Sequence, residues 1–178
     1  MLRLFVGIPL PPEQCLTLST LCRGLPGVKW VDPGNYHVTL RFIGEVDEGV
    51  AADIDTALAG IRMRPFEIAV AGTGYFGPDD KPRVVYAGID KSAPLGHLHE
   101  KVEKAMTWVG LAPESRRYAP HVTLGYVKNG NPIEIGRFAA AHNLLRLPEF
   151  PVDAFHLVCS YLTKAGAIYE DVAEYPLR

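Results

Sequence analysis

The tetrad His37-Val38-Thr39-Leu40 returns as His121-Val122-Thr123-Leu124. Each copy follows a turn-forming stretch, Asp32-Pro33-Gly34-Asn35 or Tyr118-Ala119-Pro120. Each is followed by one residue and then an aromatic, Phe42 or Tyr126. Histidine, with an unperturbed pKa of about 6.5, can give or take a proton near neutral pH. Opening a cyclic phosphodiester asks for both acts: a base activates water, and an acid protonates the leaving oxygen on the opposite side. Threonine hydroxyls can donate hydrogen bonds to the non-bridging oxygens, where charge builds up. Arg41, two residues beyond Thr39, could add a cation. A five-membered cyclic phosphate needs little further activation, so neither a metal nor another cofactor is expected.

Such chemistry needs the side chains to converge, and strand geometry supplies the first step. Both tetrads begin predicted strands, His37 to Gly44 and His121 to Lys128. Side chains on a strand alternate between faces. His37, Thr39 and Arg41 are thus expected on one face, with Val38, Leu40 and Phe42 on the other. In the second copy His121, Thr123 and Gly125 oppose Val122, Leu124 and Tyr126. The apolar face should pack on helices, leaving the His/Thr face for a cleft. Phe42, Tyr126, Tyr75 and Phe76 could stack on bases, but alternation places Phe42 and Tyr126 in the core.

Around these strands the chain reads as a mixture. Leu4 to Leu10 is a compact apolar strand. A helix should start at Pro11-Pro12-Glu13 and run to about Arg23, with Gly24 as the stop. Val28 to Val31 is a short strand. Val50, Ile54, Leu58 and Ile61 share one face of a helix over 47–61. Phe66 to Phe76 and Arg83 to Ile89 form a hairpin around Gly77-Pro78-Asp79-Asp80-Lys81-Pro82. Pro94 to Val109 is the strongest helical stripe, and Ile133 to His142 a shorter one. Phe150 to Leu162 and Ala167 to Val172 are the last strands. This order, with its hairpins, predicts an α+β fold with largely antiparallel sheets in a single domain over 1–178.

The 178 residues carry a net charge of −2, which argues against a general nucleic-acid coat protein. Three cysteines, Cys15, Cys22 and Cys159, form no Cys-x-x-Cys pattern and read as reduced thiols. No leader-like or membrane-spanning run is present, so a cytoplasmic protein is expected. His97 and His99 are two apart on a helix and do not face each other. His142 reads as packing. His156 shares a face with Ser160 and reads as structural. No Asp-x-Asp cluster supports a Mg²⁺ nuclease, and Gly72-Thr73-Gly74 lacks the Lys-Ser/Thr partner of a nucleotide-binding loop.

At these residues the chain resembles the 2H phosphoesterase family, named for its two His-x-Thr-x motifs. Within it, the similarity is to the branch of RNA 2',3'-cyclic phosphodiesterases and 2'-5' RNA ligases. It extends through Arg3-Leu4-Phe5-Val6-Gly7-Ile8, Pro82-Arg83-Val84-Val85-Tyr86-Ala87-Gly88, Ser160-Tyr161-Leu162, Gly166 and Tyr169-Glu170. The resemblance implies a bilobal fold of two pseudo-symmetric halves, each an antiparallel sheet with flanking helices, around a central cleft. It implies hydrolysis of RNA or nucleoside 2',3'-cyclic phosphates to 2'-phosphates, with His37 as proton donor and His121 as acceptor. Thr39, Thr123 and Arg41 would bind the phosphate. Many relatives carry a basic residue where this chain has Ala119, with Arg116 and Arg117 nearby. Two alternatives use the same site: 2'-5' joining of RNA ends, and capture of RNA ends without turnover. A monomer whose partners are RNA ends or nucleotides bearing a cyclic phosphate is expected.

Overall fold

The computed structural model describes residues 1–178. Strand β1 (Leu2–Pro9) leads into α1 (Pro12–Ser19), β2 (Val28–Trp30), a 3-10 turn (Pro33–Asn35) and β3 (His37–Val46). Next come α2 (Glu48–Ala59), β4 (Phe66–Ile68), β5 (Val70–Phe76), β6 (Val84–Ile89) and α3 (Ala93–Val109). The chain ends with β7 (His121–Val127), α4 (Pro132–Ala141), β8 (Phe150–Val152), β9 (Ala154–Thr163) and β10 (Gly166–Pro176).

Local chemistry explains most boundaries. Asp47 caps α2 by accepting from the Val50 amide at 2.8 Å, and Ser92 caps α3 by accepting from Leu95 at 3.2 Å. Gly110, at φ 103°, ends α3 in the left-handed conformation glycine tolerates. α1 ends at Ser19, short of the expected Arg23. The hydroxyls of Thr17, Ser19 and Thr20 donate to the carbonyls of Glu13, Leu16 and Thr17, competing with the helical pattern. Two expected strands are divided, at Ala69 and at Asp153. β4 and β8 pair with each other in a separate two-stranded sheet.

The other strands run in the order β10-β9-β1-β3-β7-β6-β5, with β2 on β7, and every pairing is antiparallel. One half, β10-β9-β1-β3, meets the other, β7-β6-β5 with β2, through a single register pair. That pair is Val38 opposite Val122, the second residue of each tetrad. The two tetrads therefore lie antiparallel, meeting at matching positions.

One face of this arrangement is apolar. Val6, Val38, Leu40, Val122, Leu124 and Leu157 are buried with Ile54 and Leu58 of α2 and Leu95, Leu98, Val102 and Met106 of α3. A smaller cluster packs Ile135 and Phe138 of α4 against Val85 and Leu25. With the helices on that face, the His/Thr side faces away from them. No helix is long and apolar enough to cross a membrane.

Candidate active site

The two histidines are held in the same way. The Nδ1–H of His37 donates to the carbonyl of Asn35 at 2.8 Å, and that of His121 to the carbonyl of Ala119 at 2.7 Å. A carbonyl only accepts, so Nδ1 carries the proton in both rings and Nε2 is left as the reactive atom. The anchoring carbonyl lies two residues upstream each time, supplied by the turn that precedes the strand. In the first copy Asp32 stabilises that turn by accepting from the Gly34 amide at 2.8 Å. The Asn35 side chain donates to the carbonyl of Ala167 at 2.8 Å, tying the turn to β10. Nε2 of His37 lies 2.9 Å from Thr39 Oγ1.

Aromatic rings fix both imidazoles. Phe5 stacks on His37 at 4.5 Å, and Tyr169 meets the same ring edge-on at 5.5 Å. Phe76 meets His121 edge-on at 4.7 Å, with Tyr86 tilted at 5.5 Å. Burial among these rings lowers the pKa of His37 below its ordinary value; the Asn35 carbonyl opposes this, and the nearby His121 adds to it. Burial likewise lowers the pKa of His121, against the Ala119 carbonyl. Phe5, Tyr169 and Tyr86 are not legible as site residues in the sequence, because they reach the site across strand pairs rather than along a strand.

Strict alternation fails just past each threonine. Gly7 faces Thr39 but Val6 faces Arg41, so Leu40 is an extra residue in β3. Tyr86 faces Thr123 but Val85 faces Gly125, so Leu124 is extra in β7. These matched β-bulges invert the strand's phase. Arg41 consequently turns to the helix side, where Nη1 donates to Glu103 Oε2 and Nη2 to the Ala112 carbonyl, both at 2.6 Å. Its guanidinium is committed to α3 and the segment after it, not to the His/Thr face where a phosphate-binding role was expected. Phe42 and Tyr126, expected in the core, are 49% and 45% exposed. Phe42 lies opposite Phe5 on the histidine side. Arg3 sits 5.2 Å from the Phe42 ring centre and Lys128 5.9 Å from that of Tyr126.

The remaining candidates fall outside the paired tetrads. His99 stacks on Tyr118 at 3.8 Å, and Tyr118 donates to the Thr39 carbonyl at 2.9 Å, bracing β3. His142 packs edge-on against Phe138. Tyr75 donates to Asp79 at 2.8 Å. Arg116 is exposed beside Glu114 at 3.5 Å. Ala119 contributes its carbonyl, which any residue could supply. His156, read as structural, lies across β1 from the tetrad, 3.1 Å from Asp171. No cluster of three or more His, Cys, Asp or Glu is placed to hold a metal ion.

Two imidazoles anchored through Nδ1, with Nε2 free of backbone partners and each two residues from a threonine, can accept a proton at Nε2 when neutral and give one when protonated. The fold and the paired His-x-Thr strands together define a protein of the 2H phosphoesterase class. The 2'-5' RNA ligase superfamily profile matches residues 21–161, and the chain belongs to that family. An RNA 2',3'-cyclic phosphodiesterase of Aeropyrum pernix is 37% identical over 85% of this chain and 86% of its own length. One of Archaeoglobus fulgidus is 33% identical, covering 96% and 98%. Among solved structures, a Thermus thermophilus protein superimposes with a TM-score of 0.83 at 28% identity, covering 99% of this chain and 98% of that one. The E. coli protein LigT shares the fold, at a TM-score of 0.78 and 21% identity over 99% and 97%.

Proposed function

We propose that this chain hydrolyses RNA or nucleoside 2',3'-cyclic phosphates to 2'-phosphomonoesters, without a metal, by acid–base catalysis between His37 and His121. The observation that carries this reading is the matched anchoring of Nδ1, which leaves both Nε2 atoms free of backbone partners, that of His37 lying 2.9 Å from Thr39 Oγ1. The names of the relatives support the substrate class.

In the proposed step, neutral His121 takes a proton at Nε2 from water as the water oxygen bonds to phosphorus. The P–O3' bond breaks on the far side, and protonated His37 gives its Nε2 proton to O3'. A 2'-phosphate and a 3'-hydroxyl result. Thr39 and Thr123 donate to the non-bridging oxygens, where negative charge grows. Solvent then returns a proton to His37 and removes one from His121.

A nucleoside 2',3'-cyclic phosphate incubated in EDTA should be converted to the 2'-phosphate alone. Formation of the 3'-phosphate, or full loss of turnover on chelation, contradicts the proposal. The family's description favours one second reading: a 5'-hydroxyl of another RNA could replace the water and give a 2'-5' junction. Supplying RNA halves with cyclic-phosphate and 5'-hydroxyl ends, and separating the products by length, distinguishes joining from hydrolysis.

A further inference from the structure

The two halves differ beside their histidines. In the second half, Tyr86 stands opposite Thr123 on one side and Gly74 on the other. The Tyr86 ring fills the space over that glycine, since a Cβ at Gly74 would lie 2.5 Å from the Tyr86 hydroxyl. It stacks on Phe76 at 4.3 Å. In the first half the same register holds Gly7 opposite Thr39, with His156 as its other neighbour. The glycine and the larger residue have exchanged strands, and the ground beside His37 is open. A cavity of about 290 Å³ lies there, bounded by His37, Tyr169, Val158, His156 and Asp171. Gly7 lies at its floor, where a Cβ would press on the Val38 carbonyl at 3.1 Å and on the His37 ring at 3.2 Å.

The cavity's chemistry is that of a neutral ligand. No lysine or arginine lines it, and Asp171 contributes a carboxylate, so a second phosphate is disfavoured. His156 Nδ1–H donates to Asp171 Oδ2 at 3.1 Å. That bond orients the ring and leaves Nε2 as an acceptor in the neutral form. The volume falls just below the range of about 300–1,000 Å³ for small-molecule sites, a size for part of a ligand.

We propose that this cavity is the subsite for the terminal nucleoside, that His156 accepts a hydrogen bond from it, and that Asp171 positions His156. The inference rests on the hydrolytic reading above and deepens it. When the ring opens, the leaving oxygen stays on the ribose, whereas the nucleophile is a single water. The bulky side of the reaction therefore belongs toward the cavity that His37 borders, and the water toward His121, where the Tyr86 ring occupies the matching place. This asymmetry matches His37 to the acid and His121 to the base.

The test compares a nucleoside 2',3'-cyclic phosphate with glycerol 1,2-cyclic phosphate, which keeps the reacting ring but lacks the nucleoside. His156→Ala should raise KM for the nucleoside substrate about tenfold, the worth of one hydrogen bond of about 1.4 kcal/mol, with kcat held within about threefold. It should leave kcat/KM for the glycerol ester unchanged. Val158→Phe, which fills the cavity, should do the same. Asp171→Ala should raise KM for the nucleoside substrate and Asp171→Asn, which still accepts from Nδ1–H, should restore it. If the unaltered protein turns over neither ester, the hydrolytic reading itself fails. If it turns over the nucleoside substrate while His156→Ala and Val158→Phe leave KM unmoved, or slow both esters equally, the subsite is wrong.

Discussion

In the proposed step the proton-transferring atoms are Nε2 of His37 and His121, and the environments of these rings set the pH at which it should run. Burial lowers both pKa values below 6.5, so in the free protein both rings are neutral at pH 7.5. The proposed step needs one ring protonated and one neutral. That combination peaks between the two pKa values, so kcat/KM, which reports the free enzyme, should be maximal below pH 6.5. It should fall as pH rises further, because the acid loses its proton. A bound phosphate anion favours the imidazolium, so the kcat profile should lie at higher pH than the kcat/KM profile. Initial rates from pH 4.5 to 8.5 check both statements; a kcat/KM maximum above pH 7.5 contradicts them. His37→Ala and His121→Ala should each cost about 10²–10⁴-fold in kcat, with thermal stability measured alongside to show an intact fold. The placement of these two residues and their threonines on one face was legible in the sequence because alternation holds over the first three positions of each strand. The carbonyl anchors at Asn35 and Ala119 were not, since they depend on backbone direction in the turns and not on side-chain identity.

Arg41 shows where a pattern read along one strand stops being informative. Its spacing from Thr39 is right for a shared face, and only the extra residue at Leu40 sends it to the other side. A bulge is a property of two paired strands, visible in β3 only against β1. The same kind of shift, repeated in β7, brings Phe42 and Tyr126 out of the core, where their apolar character alone would have kept them. The consequence for Arg41 is a stability role. Its ion pair with Glu103 is largely shielded, with side-chain exposures of 10% and 18%, and removing one partner leaves a poorly solvated charge. Arg41→Ala should destabilise the fold by about 2–4 kcal/mol while changing KM for a cyclic nucleotide less than about threefold. Chemical denaturation and steady-state kinetics on the same preparation separate the two. A large rise in KM with unchanged stability would restore Arg41 to the phosphate. Where strands stayed in phase and caps were local, as at Asp47 and Ser92, the sequence reading and the elements agree.

The whole molecule joins its halves along a narrow line, Val38 against Val122, and this concentrates recognition at one place. The tetrads meet there in matching register, so the groups that can grip a substrate phosphate lie within a few residues of one pair. The net charge of −2 offers no broad attraction for the rest of an RNA chain. The subsite beside His37 is uncharged apart from Asp171. Arg3 and Lys128 are the cations set against exposed rings on Phe42 and Tyr126, enough for about one further phosphate contact. For single strands each phosphate contact contributes about −0.7 to the slope of log affinity against log salt. One or two contacts give a slope between about −0.7 and −1.4, which between 50 and 200 mM salt is a loss of roughly three- to sevenfold. An RNA oligonucleotide ending in a 2',3'-cyclic phosphate should follow that dependence in kcat/KM, and a cyclic mononucleotide should sit at its shallow end. A loss beyond about a hundredfold over the same range would require an extended basic track. It would move RNA recognition from the meeting line of the halves to a surface including the exposed Arg116 and Arg117.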